Sequence, residues 1–208
     1  MDKRPAIFLD RDGVVIEERE YVSTPDQVRL LPGAAETIAA LNRAGWCVVI
    51  VTNQSGIARG FFTPSALDRI HERLQHLLWC YGAQIDGIYV CPHHPEADLD
   101  IYRRQCHCRK PQPGLLLQAV EELGIDLSQS WMIGDRVIDL EAGSAAGCRT
   151  VLVRTGYGAR VDTIALDRSA LRLELVAADL ADAACKLGLV SARLEQQMGQ
   201  RQTQRLVA

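Results

Sequence analysis

The sequence predicts an α/β fold, a Rossmann-like three-layer sandwich around a mostly parallel sheet. Short apolar runs alternate along the chain with stretches of helical periodicity. The apolar runs lack polar alternation, which is typical of strands covered on both faces. A chain of 208 residues, 48% of them hydrophobic, is long enough to bury one such core.

Five apolar runs are predicted as strands. They span 6–9, 46–51, 88–90, 131–133 and 151–153. Each is short and flanked by glycine or polar residues, as expected of buried strands that end in loops.

The clearest helix is predicted over 65–81. Its apolar side chains fall on one helical face and should pack on the sheet; they are Leu67, Ile70, Leu74, Leu77, Leu78 and Tyr81. Gly45, Gly124 and Gly147 each close a helical stretch before a strand, and Pro113 suits the first turn of the helix after it.

Composition restricts the function class and the domain count. The net charge of −3 and a pI near 6 argue against a protein that coats nucleic acid or anionic membranes. We expect one domain over 1–187, followed by a mobile tail over 188–208 that is rich in Gln and Arg. Without heptads or a large apolar surface helix, we expect a monomer.

The cysteine count and the N-terminus predict a cytoplasmic protein. The first apolar run is too short for a signal-peptide core or a membrane span. Seven cysteines without a secretory signal indicate reduced thiols, free for metal binding or burial.

Two carboxylates, Asp10 and Asp12, follow the first predicted strand on a turn relieved by Gly13. This is where an α/β enzyme would hold an aspartate nucleophile. Attack of a carboxylate on a phosphoryl group brings two anions together. The interpretation therefore requires a divalent cation, further oxygen ligands and a cationic side chain.

Candidates for these groups follow other strands. Thr52 and Asn53 come after the second strand, Asp135 and Asp139 after the fourth, and Lys110 lies in a loop between them. Right-handed crossovers place the carboxyl ends of parallel strands at one edge of the sheet. Each residue alone is more often a turn or helix cap, but their shared position favours a phosphoryl-transfer site.

These motifs resemble those of the haloacid dehalogenase (HAD) superfamily of aspartate-dependent phosphotransferases. The matching segments are 10–13, 51–53, 109–111 and 134–135, together with Asp139. The resemblance implies that Asp10 attacks phosphorus and that Asp12 first donates and then accepts a proton. It implies Mg²⁺ ligation by Asp10, Asp135 and the main-chain carbonyl of Asp12, with Asp139 behind them.

Three other residues complete that implied site. The Thr52 hydroxyl and the backbone amide of Asn53 would bind phosphoryl oxygens, and the Lys110 ammonium would offset their charge.

A second cluster, in the loop over 91–108, predicts a zinc site. Cys91 with His93, and Cys106 with Cys108, are i, i+2 pairs whose side chains point to the same side of an extended chain. Three thiolates and one imidazole suit tetrahedral zinc, with no open position for a reactive water. The alternatives are reduced surface cysteines or an oxidation-prone disulfide.

The HAD core together with this loop is similar to the D-glycero-D-manno-heptose 1,7-bisphosphate 7-phosphatase family. The similarity extends over 52–60, 91–95 and 108–111. It implies hydrolysis of the 7-phosphate of a heptose bisphosphate, a step toward the activated heptose of lipopolysaccharide. The substrate contacts it implies are Glu18, Arg19, Glu20, Tyr21, Thr52, Asn53, Gln54, Ser55, Arg109, Lys110 and Arg136.

The chain departs from this family in a few places. Val14-Val15 replaces Thr-Ile, Glu20 stands where a small residue is usual, and Arg136 replaces a lysine. The segment over 13–33 is too short for a large cap domain, so we expect an open site.

Three alternatives stay open at this stage. The histidinol-phosphate phosphatase family, or another small sugar-phosphate phosphatase, shares the core and a similar metal loop. A phospho-receiver signalling domain also places Asp, Thr and Lys at a sheet edge. A metal-stabilised binding module would leave the carboxylates unexplained.

Overall fold

The computed structural model describes residues 3–190 and contains one parallel sheet of six strands. The strands are β1 (Ala6–Leu9), β2 (Cys47–Asn53), β3 (Gly87–Cys91), β4 (Trp131–Gly134), β5 (Arg149–Val153) and β6 (Leu173–Ala177). Their spatial order is β3-β2-β1-β4-β5-β6, and every pairing is parallel. The predicted α/β class is confirmed. The sequence analysis missed β6, whose exposed Glu174 interrupts its apolar run.

The described residues form five α-helices, of which the first four connect successive strands and the last follows β6. They are α1 (Ala34–Arg43), α2 (Pro64–Trp79), α3 (Gly114–Leu123), α4 (Val137–Ala146) and α5 (Leu180–Lys186). Helix α2 buries Leu67, Ile70, Leu74 and Leu78 as predicted, but it ends at Trp79 and leaves Tyr81 exposed. Pro113 occupies the N-cap position of α3, one residue before its first turn.

Two hydrophobic clusters cover the two faces of the sheet. Along β1, Ile7 and Leu9 join the cluster formed with α1, α2 and α5, whereas Ala6 and Phe8 join the cluster formed with α3 and α4. Successive strand residues point to opposite faces, so a sheet with apolar residues on both faces requires a helical layer on each. This is the predicted three-layer sandwich.

Two connections at the carboxyl edge carry predicted site residues. Residues 10–33 link β1 to α1 with one 3-10 turn, Pro25–Gln27, and residues 92–113 link β3 to α3 through the cysteine loop. Neither holds a cap domain, as predicted. None of the helices within 3–190 is long and apolar enough to cross a membrane.

The last described residues, 189 and 190, pack against the core, while the predicted domain end at 187 stays a prediction. Leu189 and Val190 are buried in the main cluster, and the Trp46 indole N–H donates to the Leu189 carbonyl at 3.2 Å. The rest of the predicted tail lies outside the described residues. That 191–208 is mobile stays a prediction.

Candidate active site

The predicted catalytic residues converge on one cleft at the carboxyl edge of the sheet. Asp10 follows β1, Thr52 is the penultimate residue of β2, and Asp135 follows β4. The cleft encloses about 240 Å³. Its lining consists of Asp10, Asp12, Glu18, Glu20, Tyr21, Thr52, Asn53, Gln54, Ser55, Gly56, Arg109, Lys110, Arg136, Ile138, Asp139 and Tyr157.

Lys110 is held at the centre of the cleft by two carboxylates. Its ammonium lies 2.9 Å from Asp10 Oδ1 and 2.7 Å from Asp139 Oδ1, and it donates to the Val51 carbonyl at 2.8 Å. The lysine side chain is 1% exposed. Burial lowers the pKa of Lys110, but Asp10 and Asp139 together raise it above its ordinary value. The ammonium therefore stays charged beside Asp10.

Asn53 fixes the backbone of this lysine. Its side-chain amide donates to the Lys110 carbonyl at 3.0 Å, and its side-chain oxygen accepts from the Lys110 N–H at 3.1 Å. The end of β2 and the lysine loop are thereby joined by a paired hydrogen bond. The sequence analysis assigned only the backbone amide of Asn53 a role, so this use of its side chain is new.

Asp135 lies beneath the cleft, completely buried. Its Oδ2 accepts from the Tyr157 N–H at 2.7 Å, and the backbones of Gly13 and Gly156 pass so close that a Cβ at either position would overlap the carboxylate. Both glycines have positive φ. Asp135 Oδ1 is buried and has no hydrogen-bond partner among the described residues.

These carboxylates fit a divalent cation with a preference for oxygen ligands. One oxygen each of Asp10, Asp135 and Asp139 lie within 4.8 Å of one another. Both carboxylate oxygens of Asp139 already have partners. Oδ1 pairs with Lys110, and Oδ2 accepts from the Arg136 N–H at 2.9 Å. The unpartnered oxygen of Asp135, close to Asp10, is what a Mg²⁺ ligand set requires.

The negative charge of these three carboxylates exceeds the positive charge of Lys110. Burial, with the charges of Asp139 and Asp12 nearby, raises the pKa of Asp10 even though Lys110 opposes the shift. Burial and the charges of Asp10 and Asp139 raise the pKa of Asp135 to about 8. Three carboxylates share one ammonium, so an added cation would relieve their repulsion.

Asp12 is bound by side chains deeper in the protein. Its carboxylate pairs with the Arg11 guanidinium at 3.0 Å and accepts from the Gln54 amide at 2.9 Å. The same Gln54 amide lies 2.8 Å from the Thr52 hydroxyl. Gln54 lines the cleft as predicted for a substrate contact, yet its amide is already used to connect Asp12 with Thr52.

The predicted substrate loop turns sharply over the cleft. Glu20 adopts φ 58°, a conformation that favours small residues, and its N–H donates to Glu18 Oε1. Tyr21 stacks edge-on against Phe61 at 4.6 Å. Arg19 pairs with Glu17 at 2.7 Å and is absent from the cleft lining, whereas the other members of the predicted loop line it.

Tyr157 lines the cleft but was not predicted. The Arg136 guanidinium lies over its ring at 5.1 Å, a cation–π contact that restrains the arginine at the cleft wall. Tyr157 lies four residues after the end of β5, in the 3-10 turn Gly156–Arg160. No motif in that loop marked it in the sequence.

The four predicted zinc ligands come together beside the cleft. Sulfur atoms of Cys91, Cys106 and Cys108 lie 3.2–3.5 Å apart, and His93 Nδ1 lies 3.4 Å from Cys108 Sγ and 3.8 Å from Cys91 Sγ. A tetrahedral zinc with bonds of about 2.3 Å to sulfur has edges near 3.8 Å, so the donor set fits this metal. No disulfide joins any of the cysteines within residues 3–190.

This cluster is joined to the catalytic loop through Arg109. Its guanidinium donates to the His93 carbonyl at 3.0 Å, and Arg109 directly precedes Lys110. At the end of the loop, the Gly114 N–H donates to the His107 carbonyl at 2.9 Å. The position of Lys110 thus depends on the loop that carries the predicted metal ligands.

Curated relatives decide the family. Proteins named D-glycero-beta-D-manno-heptose-1,7-bisphosphate 7-phosphatase match from Photorhabdus laumondii at 46% identity, covering 73% of this chain and 81% of the relative. The Escherichia coli K12 protein of that name is 44% identical over 73% of this chain and 80% of its own length. The Pseudomonas aeruginosa protein is 44% identical, with 76% and 85% covered.

The chain belongs to the heptose-1,7-bisphosphate 7-phosphatase family. A family model described as HAD-hydrolase-like also matches residues 107–183. The resemblance predicted from the sequence motifs is confirmed.

Solved structures of this family have the same fold. The D,D-heptose 1,7-bisphosphate phosphatase of B. bronchiseptica, complexed with magnesium and phosphate, aligns with a TM-score of 0.77 at 38% identity, covering 88% of this chain and 97% of that one. The enzyme from Burkholderia thailandensis aligns with a TM-score of 0.66 at 32% identity, over 88% and 98%.

Proposed function

We propose that this protein is a Mg²⁺-dependent phosphatase that hydrolyses the 7-phosphate of D-glycero-β-D-manno-heptose 1,7-bisphosphate through an aspartyl-phosphate. The main observation is the Asp10–Lys110 ion pair beside buried Asp135 in an open polar cleft. The names of the curated relatives support the β-anomer of the heptose as substrate.

In the first step, Asp10 attacks the 7-phosphoryl group. A bond forms between a carboxylate oxygen and phosphorus while the bond from phosphorus to the sugar oxygen breaks. The Asp10 carboxylate contacts Lys110 and the Arg11 N–H, the latter at 2.8 Å. Both contacts are made by Oδ1. The other oxygen, Oδ2, is the candidate nucleophile.

Asp12 is the proton donor in the first step and the proton acceptor in the second. Protonated, it donates to the departing sugar oxygen, which leaves as an alcohol. It then takes a proton from the water that attacks the aspartyl-phosphate, giving inorganic phosphate and free Asp10. Its place two residues after Asp10 in the same cleft supports both roles.

The cationic groups offset charge on the transferred phosphoryl group. Bound by Asp10, Asp135 and the Asp12 carbonyl, Mg²⁺ would supply the positive charge that lets two anions approach. Lys110 adds a fixed, desolvated charge, and the Thr52 hydroxyl and Asn53 N–H can donate to phosphoryl oxygens.

The second phosphate needs its own cations. Arg109 and Arg136 both line the cleft, and a guanidinium matches phosphate geometry through paired hydrogen bonds. Arg109 is the first candidate because its neighbour Lys110 is at the catalytic end. Arg136, restrained over Tyr157, is the second.

The Cys91–His93–Cys106–Cys108 cluster would hold a structural zinc that fixes the lysine loop. Four protein ligands close the coordination shell, so the metal has no catalytic water. The enzyme would act in the cytoplasm as a monomer, in synthesis of activated heptose for lipopolysaccharide.

Phosphate release with Mg²⁺ tests this function. The substrates are the β- and α-anomers of the heptose bisphosphate and histidinol phosphate. We expect kcat/KM for the β-anomer to exceed that for histidinol phosphate by about a hundredfold or more, because a site built for a second phosphate leaves its cations unpaired without one. Preference for histidinol phosphate would move the protein to the competing family. No turnover of any of them would reject the phosphatase proposal.

A further inference from the structure

Arg11 is a deeply buried charged side chain beside Asp12 to which the proposed mechanism gives no role. It is 1% exposed. Its Nε and Nη2 atoms each donate to Asp12 at 3.1 Å, and Nη2 also donates to Gln54 Oε1 at 3.0 Å. The guanidinium therefore grips the Asp12 carboxylate through two parallel hydrogen bonds, the arrangement that fixes a carboxylate most firmly.

The third nitrogen of this guanidinium is bound by a histidine from helix α2. Arg11 Nη1 lies 3.1 Å from His71 Nε2. Since arginine can only donate, Nε2 must be the acceptor, and the imidazole is neutral with its proton on Nδ1. Burial, together with the Arg11 charge, lowers the pKa of His71 to about 3, which keeps the imidazole neutral at physiological pH.

Gln54 closes the network on the opposite side of Asp12. It accepts from Arg11 with Oε1 and donates to Asp12 and Thr52 with Nε2. Both carboxylate oxygens of Asp12 thereby accept hydrogen bonds, so the carboxylate is held in one orientation. Such complete pairing makes the network rigid.

We infer that His71, acting through Arg11, is a positioning residue for proton transfer at Asp12. This inference rests on the proposed function, in which Asp12 is the proton donor and acceptor. His71 touches neither the cleft nor the substrate side of Asp12, as its absence from the cleft lining indicates. Its contribution is an acceptor for Arg11 Nη1.

The physical reason is the cost of an unpaired buried donor. Without the imidazole, Arg11 Nη1 would lose its acceptor in a buried place, at about 1–3 kcal/mol. The guanidinium would rotate toward another acceptor, and its hydrogen bonds to Asp12 would weaken. Proton transfer depends on geometry, and small misplacements of a catalytic group lower rates by about tenfold to a hundredfold.

The test compares variants that keep or remove the acceptor. In His71→Gln, the side-chain oxygen can reach the place of Nε2, whereas His71→Leu and His71→Met offer Arg11 no comparable acceptor. We expect kcat for the heptose bisphosphate to fall about tenfold or more in His71→Leu and His71→Met, with KM changed less than about twofold. His71→Gln should restore kcat to within about threefold of the wild type.

A leaving-group comparison separates positioning from general damage. Nitrophenolate needs no proton to depart, so the burst of nitrophenol from p-nitrophenyl phosphate reports attack by Asp10 without help from Asp12. We expect this burst rate to change less than about twofold in His71→Leu. Equal losses on both substrates would contradict the inference.

A double-mutant cycle provides the second criterion. In an Asp12→Asn background, His71→Leu should cost less than about a further twofold in kcat, because the residue it positions has lost its function. A full additional loss would mean that His71 acts on something else.

The matched control is Leu74→Ala, a buried position one turn later on α2 that lies in the hydrophobic cluster. It should lower the melting temperature without changing the ratio of the two substrates' rates. If the wild type releases no phosphate, the proposed function fails and this inference with it. An active wild type with unaltered His71 variants overturns only the inference.

Discussion

Asp10, Asp135 and Asp139 carry more negative charge than Lys110 can balance. The lysine pairs with Asp10 and Asp139 but not with Asp135, whose Oδ1 is left without a partner in the described chain. Burial, together with the charges of Asp10 and Asp139, raises the pKa of Asp135. These residues favour a site that is completed by a divalent cation and an anionic substrate.

Replacing Asp10 by Asn tests the covalent mechanism at the level of one atom. An amide cannot form the aspartyl-phosphate, so we expect kcat to fall by about a thousandfold or more. Phosphate release measures the change. Near-normal turnover in a correctly folded variant would remove the covalent intermediate, and circular dichroism checks the fold.

Replacing Gly156 by Ala tests how Asp135 is placed. A Cβ at Gly156 would overlap Asp135 Oδ2, so the carboxylate must shift and we expect Mg²⁺ activation to weaken by about tenfold to a hundredfold. The Mg²⁺ dependence of phosphate release measures this.

Gly124→Ala is the matched control for that variant. Gly124 also has positive φ, at 65°, but nothing lies within 4 Å of its missing Cβ. It should lose stability through backbone strain while its Mg²⁺ dependence stays normal. Equal Mg²⁺ dependences in the two variants would contradict the role given to Gly156.

At the scale of elements, loops at one sheet edge depend on each other. The end of β2 holds Lys110 through Asn53, and the cysteine loop holds Arg109 through the His93 carbonyl. A change in either loop is therefore expected to shift Lys110 or Arg109 in the cleft. Helix α2 contributes His71, which binds Arg11 at this edge of the sheet.

Cys106→Ser tests the coupling between the metal loop and catalysis. We expect about one zinc per chain in the wild type, loss of that zinc in the variant, and a fall in melting temperature of several degrees. Activity should fall about tenfold or more because Arg109 and Lys110 lose a fixed support. Elemental analysis, thermal unfolding and phosphate release provide the measurements.

Cys80→Ser is the control, since Cys80 is an exposed free thiol at the end of α2. It should keep zinc, stability and turnover. A wild-type protein free of zinc, or a Cys106→Ser variant with unchanged activity, would contradict the zinc proposal.

At the scale of the whole molecule, two helical layers and six strands form one continuous structure through residue 190. The last described residues contribute to it, because Leu189 and Val190 are each 7% exposed and the Leu189 carbonyl accepts from Trp46. Packing of the described chain therefore continues through residue 190.

Two truncations distinguish the boundaries. A chain ending at Val190 should keep its turnover and its free energy of unfolding, whereas one ending at Leu187 should lose about 3 kcal/mol or more through the missing apolar burial. Urea unfolding measures both. Equal stabilities would mean that Leu189 and Val190 add nothing, and a loss on cutting at Val190 would show that 191–208 matters.

The sequence alone determined the fold class and the main members of the site. Unbroken apolar runs require burial on both faces, and parallel strands bring their carboxyl ends together, so Asp10, Thr52 and Asp135 could be placed from strand order. The cysteine pairs could be grouped because i, i+2 spacing is local geometry.

Only the tertiary structure decided which partner each side chain takes. Asn53 bonds to Lys110 across 57 residues, and Arg11 bonds to His71 across 60. On helix α2, His71 lies among buried apolar residues and gives no periodic signal of its own. The local sequence pattern predicts which residues are buried and where strands end. Hydrogen-bond partners that are distant in the chain depend instead on how the layers pack.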